Sequence, residues 1–267
     1  MSWLPVSAVL EREIVRMARQ RARLLSALVR PLIWLFVIGA GFGAAMQGAG
    51  VDYQRYLVPG ILGMTLLFGA MLAALSMVFD KESGVMRMLI VAPMARAWIV
   101  GAKLLSSALA GIVQALLLLA VLAATGLIGA DTRFGLLALA LVATALACGA
   151  IGILVAAFTR TLDNYAAIMN FVIFPVFFLS GSLYPVERLP AALKAVALAN
   201  PYTYGVDLLK HAFASASSGP GADFGVGADL AVLAGFTVVA LAVASWRFSR
   251  ESAHEPLIHR LTGRSGG

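Results

Sequence analysis

Six stretches of this 267-residue chain, roughly 24–46, 57–79, 99–124, 134–158, 165–183 and 230–248, are apolar and carry little or no charge. About 20 such residues in helical form cross the hydrocarbon core of a bilayer. In lipid, the backbone of each run must satisfy its own hydrogen bonds, which leaves helices or a closed barrel. Runs this long and continuous select the helix. The chain therefore reads as an all-α membrane protein with six transmembrane helices. Its charged fraction of 12% supports this, against about 25% in soluble domains.

The breaks between runs carry turn or charge signals: "GAGVDYQR", "DKESG", "GADTR", "TRTLDN" and a long stretch from Tyr184 to Asp229. Before the first run, Leu10, Ile14 and Met17 share a face, with Arg12, Arg16, Arg19 and Arg23 mostly on others. Residues 5–23 are thus expected to form an amphipathic helix in the membrane interface, the alternative being an unstructured basic flank. No short apolar core with a small-residue cleavage site follows, so the first span is expected to remain in the mature protein. With the N-terminus inside, only Arg55, Arg133, Arg188, Lys194 and Lys210 of the 20 Lys and Arg fall on the outer side. The positive-inside rule then puts both termini in the cytoplasm, with a tail over 251–267.

Region 184–229 is then external. Within it, 186–214 holds two helical stretches of about 10 and 13 residues, too short to span. Asn200-Pro201 lies between them and breaks a continuous helix. The expected form is a re-entrant helical hairpin dipping into the outer leaflet. The alternative is an interfacial helix pair anchored by Tyr202 and Tyr204.

Several chemistries have no residues to carry them. The histidines, His211, His254 and His259, lie outside the runs, and no run interior holds a firmly placed Asp or Glu. Asp80 and Lys103 sit at expected ends, where snorkelling is easy. Proton relays and intramembrane proteolysis need such groups. "LSGS" at 179–182 has no partner base and reads as a close-packing Ser-Gly pair. Gly39 and Gly43 form a small-x-x-x-small pair that could set a close helix contact. No His, Cys and carboxylate cluster with metal-ligand spacing is visible, so no metal, catalytic or cofactor residues are expected. The single cysteine, Cys148, reads as a small buried residue. A net charge of +7 raises nucleic acid as a partner, but the basic residues flank apolar runs and suit membrane lipid headgroups instead. The chain lacks a Gly-Lys dipeptide and hence a P-loop, so it does not hydrolyse ATP alone.

Loop 80–98, "DKESGVMRMLIVAPMARAW", is the one substantial cytoplasmic loop between spans. Gly84 and Pro93 bracket a short apolar helix, Val85 to Val91. It could lie on the membrane or dock into a groove on a partner.

"YLVPGILGMTLL" (56–67), "FDKESGVMRMLIVAPMARAWIVGAKLL" (79–105), "LSGSLYPVERLP" (179–190) and "LANPYTYGVDLLK" (198–210) occur in that order. This pattern resembles the membrane subunit of ABC type-2 exporters, the polysaccharide, drug and lipid export permeases, over about residues 10–250. The resemblance implies a type V ABC exporter-like fold, with residues 1–250 as one transmembrane domain. It also implies a second copy of the chain and two cytoplasmic ATPase subunits, which bind the ATP and Mg. The setting would be a bacterial inner membrane. A hydrophobic or amphipathic substrate would pass between the two copies. Glu82 and Gly84 match the family's E-x-G, and Pro93 and Lys103 its P…K. Asn200, Pro201, Thr203, Tyr204 and Asp207 match N-P-x-T-Y-x-x-D, while Arg87, Ala92 and Lys210 depart from the usual acidic residue, Ser or Thr, and Arg. On this basis Glu82, Gly84, Met88, Leu89, Pro93 and Arg96 are the expected ATPase-coupling residues. Phe174, Phe178, Tyr202 and Tyr204 are the expected gate, with the hairpin residues around them. The competing readings are a membrane scaffold or assembly protein, and a channel or facilitator that works without ATP.

Overall fold

The structure, a computed structural model, describes residues 28–45, 53–85, 96–129, 131–213 and 221–254, together with Glu11 and Val15. Apart from Glu11 and Val15, the expected interfacial helix lies outside the described residues, as do the loop residues Met88, Leu89 and Pro93 and most of the tail.

Every regular element among the described residues is helical. Helix α1 occupies 28–45 and contains a π-wound segment, Trp34–Ile38. Helix α2 is Tyr53–Glu82, α3 Arg96–Ala124, α4 Phe134–Phe158 and α5 Leu162–Phe178. A 3₁₀ turn, Val186–Arg188, leads to α6, Ala191–Ala199, and α7, Pro201–Phe213. Helix α8, Val226–His254, ends the described chain. Four of these, α2, α3, α4 and α8, are long and apolar enough to cross a membrane. The first and fifth apolar runs form shorter helices, Leu28–Gly41 of α1 and the 17-residue α5.

Helix α2 is the hub. Of its most apolar window 78% is buried inside the protein, against 17% for α8. It packs on α3, α4, α5 and α7, so an apolar surface that would suit lipid is spent on other helices. Lipid tails are as apolar as leucine, so close packing rather than a hydrophobic drive holds such helices together. Small residues make the approach possible. A Cβ on Gly152 of α4 would lie 2.8 Å from the Ala74 Cβ of α2, and one on Gly205 of α7 would lie 2.7 Å from Thr144 Cγ2 of α4. Gly39 does approach Gln54 and Leu57 on α2, but a Cβ on Gly43 would meet nothing within 4 Å among the described residues. Cys148 is buried in α4 as a free thiol.

Candidate functional site

The two ends of α2 carry the polar chemistry. At the end that leads into loop 80–98, three consecutive residues reach three different helices. Asp80 forms an ion pair with Lys103 of α3, and both are buried. Lys103 also donates to Ser76 Oγ at 3.3 Å. Lys81 donates to the Ala156 and Ala157 carbonyls at 3.0 Å, and to Thr159 O at 3.4 Å. These are terminal carbonyls of α4, where a cation favours the helix dipole. Glu82 Oε2 accepts from the Leu162 amide at 3.1 Å, at the first turn of α5. There an anion is favoured for the same reason, and Thr161 caps the same helix by accepting from Asn164 N. Asp80 and Lys103 therefore do not snorkel, as their position in the sequence suggested. The α2–α3 hairpin brings the counter-ion close enough to pair inside the protein.

Helix α2 stops just past Glu82 because Gly84 takes a φ of +76°. Its amide donates to Lys81 O at 3.2 Å. The left-handed conformation costs a non-glycine residue about 1–2 kcal/mol. Glu82 and Gly84 thus lie at the root of the loop, while Arg96 opens α3 on its far side.

At the opposite end, the hairpin motif satisfies helix termini. Helix α5 leaves four terminal carbonyls, as every helix does. Leu179 N donates to Pro175 O, Asn200 Nδ2 to Val176 O at 2.8 Å, Ser180 Oγ to Phe177 O at 2.6 Å, and Tyr184 Oη to Phe178 O. Helix α6 is closed by Thr203 Oγ1 on Ala197 O (2.7 Å) and Tyr204 Oη on Leu198 O (2.9 Å). Asn200 Oδ1 accepts from Tyr202 N at 3.1 Å and caps α7. The break expected at Asn200-Pro201 is where α6 gives way to α7, with Pro201 at the first helical position. Asn200→Ala is expected to cost about 2–3 kcal/mol, and Asn200→Ser to recover the capping share of about 1 kcal/mol. Unfolding in detergent micelles with rising dodecyl sulfate content measures both. Equal losses would mean that the cap contributes nothing.

The aromatic residues divide into two groups. Tyr202 is fully enclosed, its ring lying where a Cβ on Gly63 of α2 would come within 2.6 Å of its hydroxyl. Tyr204 packs on Phe224 at 5.0 Å between centroids. Phe174, 45% exposed, stacks on Phe178 at 6.3 Å, and Trp34 of α1 meets Phe178 edge-on at 5.8 Å. Phe174 and Phe178 thus stand on a surface that α1 partly covers, whereas Tyr202 props α7 against α2.

One cluster escaped the sequence reading. Asp207 accepts from Asp223 N (2.7 Å) and Phe224 N (2.9 Å), fastening the strand of chain before α8 onto α7. Burial pushes the Asp207 carboxyl up, and those two amides and Lys210 pull it partly back. Lys210 bonds Asp223 at 3.0 Å and lies 3.8 Å from Asp207. His211 Nε2 sits 2.9 Å from Phe224 O and 3.8 Å from both Asp207 and Asp229. A His and carboxylate cluster is therefore present, contrary to expectation. Asp207 and His211, four apart on a helix, were the readable half. Asp229, far along the chain, was not.

Residues 5–214 match the family model described as ABC-2 type transporter, and the chain belongs to that family. Nodulation protein J of Rhizobium leguminosarum bv. trifolii is 29% identical over 202 residues, 71% of this chain and 73% of the relative. Its counterpart in bv. viciae is 28% identical over 204 residues, 71% of this chain and 74% of the relative. The Escherichia coli K12 chain named "Probable multidrug ABC transporter permease YbhS" is 27% identical over 164 residues, 60% of this chain but only 43% of its own length. Family membership and the apolar helices together make this chain a multi-pass membrane permease.

Proposed function

We propose that this ABC-2 type membrane protein is the non-catalytic permease subunit of an ATP-driven exporter in a bacterial inner membrane. It works as a pair of identical chains with two separate ATPase subunits that bind ATP and Mg. Each chain crosses the membrane six times with both termini in the cytoplasm, α1 and α5 supplying the two shorter crossings. The 17 residues of α5 rise roughly 26 Å, and the buried Ser180–Ser182 turn extends that path toward α6. The pair α6–α7 forms an outer hairpin that returns to the side it entered. Its accounted-for helix ends suit backbone held at depth in a membrane.

The observation that carries the coupling role is the three-way tie at Asp80, Lys81 and Glu82. A partner that moves loop 80–98 pulls on α2, α3, α4 and α5 together. Closure of an ATPase dimer would thereby tilt helices as rigid bodies and open a path for a hydrophobic or amphipathic substrate. Substrate stimulates turnover only through unequal affinity for the two states. Phe174 and Phe178 are the gate residues that best suit a path between two copies, because their rings are partly exposed.

Purification of the tagged chain from its host in mild detergent tests this reading. A stoichiometric P-loop ATPase with nucleotide turnover is the expected outcome. A clean chain that supports flux in vesicles without nucleotide would replace the exporter with a facilitator. Neither ATPase nor flux would leave a scaffold.

A further inference from the structure

Asp229 stands in the first turn of α8 with its side chain fully buried, and neither carboxylate oxygen has a hydrogen-bond partner among the described residues. A buried carboxylate without a partner is costly, so its place calls for a counter-charge. Within ion-pair reach, Asp207 and Asp223 share the single ammonium of Lys210. With all three carboxylates ionised, the one ammonium paired with them among the described residues would leave an excess of two negative charges.

We propose that Asp207, His211 and Asp229 form a binding site for one divalent transition-metal cation of the Zn²⁺ class. One ligand atom from each lies within 4.8 Å of the others. Atoms so spaced surround a point roughly 2.5 Å from each, a few tenths of an ångström beyond the ~2.0–2.2 Å of zinc bonds to imidazole and carboxylate. Small side-chain rotations close that gap. One imidazole with two carboxylates favours Zn²⁺ over Mg²⁺ or Ca²⁺, which prefer all-oxygen shells. Each Asp207 oxygen accepts one amide, which keeps the carboxylate oriented and leaves lone pairs for a metal. On binding, the His211 proton moves from Nε2 to Nδ1, and Nε2 turns its lone pair from Phe224 O to the metal. A divalent cation cancels the excess charge and gives Asp229 its missing partner. Two ligands come from α7 and the third from α8, so the ion fastens the hairpin to the last helix. None of this depends on the transport reading.

The test uses the full chain in detergent, stripped with chelator and titrated with Zn²⁺. The readouts are metal content after desalting and the unfolding temperature. The expected result is one Zn²⁺ per chain and a rise in Tm. Binding should weaken at least tenfold in both His211→Ala and Asp229→Asn. Asp229→Asn removes a buried charge of nearly unchanged shape, so its metal-free form should melt no lower than the parent. That keeps loss of binding distinct from loss of fold. Undiminished binding in both variants would make the ion adventitious and overturn the site. So would absence of Zn²⁺ binding in the parent with a Tm that rises on acidification and does so less in Asp229→Asn, because protons would then balance the charge.

Discussion

Lys103→Met is expected to destabilise the folded chain by about 3–5 kcal/mol, the cost of removing one partner from a buried ion pair. Lys103 and Asp80 are 1% and 2% exposed, so neither draws much on water. Losing the ammonium leaves the Asp80 carboxylate, and Ser76 Oγ, without their Lys103 contact. The pair bridges α2 and α3 just inside the loop, so the damage falls on the root of the α2–α3 hairpin. Asp80→Leu combined with Lys103→Met removes both charges. That double variant should return to within about 1 kcal/mol of the parent, since exchanging a buried pair for apolar residues is often neutral or better. Unfolding midpoints in mixed micelles for the four chains of this cycle give the coupling directly. If the double variant lost the sum of the single losses, the two charges would not be acting on one another.

The same pair shows where sequence reasoning reached and where it stopped. Each residue on its own sits near the end of an apolar run, and a residue there is free to reach water. Only the packing of α2 on α3 turns two exposed ends into a closed pair. Lys81 and Glu82 are a sharper case. Their partners, Ala156, Ala157 and Leu162, lie 75 to 80 positions away. Neither residue type nor periodicity hints at which helix end each will meet. By contrast the apolar runs fix where helices form, because length and hydropathy are local. The break at Asn200-Pro201 was legible for the same reason, as proline constrains its own backbone and that of its neighbour.

The polar-aromatic hairpin motif teaches a related point. Asn200, Thr203 and Tyr204 read as candidates for lining or anchoring. In the structure their polar atoms go to the carbonyls of Val176, Ala197 and Leu198. Helices α5 and α6 end in terminal carbonyls that need donors, and the sequence between the helices supplies them. That requirement explains a run of hydrogen-bonding side chains between two apolar ones without any contact to a substrate. Asp229 marks the limit in the other direction. It stands one residue outside its apolar run, where the sequence names no partner for it, and only the packing of α8 against α7 encloses it.

Gly84→Pro is expected to abolish coupled ATP hydrolysis, by tenfold or more, while membrane insertion and the helix bundle remain intact. A Cβ at Gly84 would meet nothing within 4 Å, so crowding is not the issue. The issue is the φ of +76°, because proline fixes φ near −65°. Proline also removes the amide that donates to Lys81 O. The chain would leave α2 in another direction, and loop 85–95 would be misaimed. Asp80, Lys81 and Glu82 precede the change and keep their partners, so the bundle should insert and melt nearly as the parent does. The graded variants separate conformation from contact. Asparagine visits the left-handed region readily and should preserve coupling, while alanine pays about 1–2 kcal/mol for it and should fall between. ATPase activity of the assembled complex in vesicles, normalised to inserted protein, reads the order: glycine and asparagine high, alanine lower, proline lost. Full coupled activity in the proline variant would mean that the trajectory of this loop does not carry the signal. The tie at Asp80, Lys81 and Glu82 would then be a device for holding four helices together and nothing more.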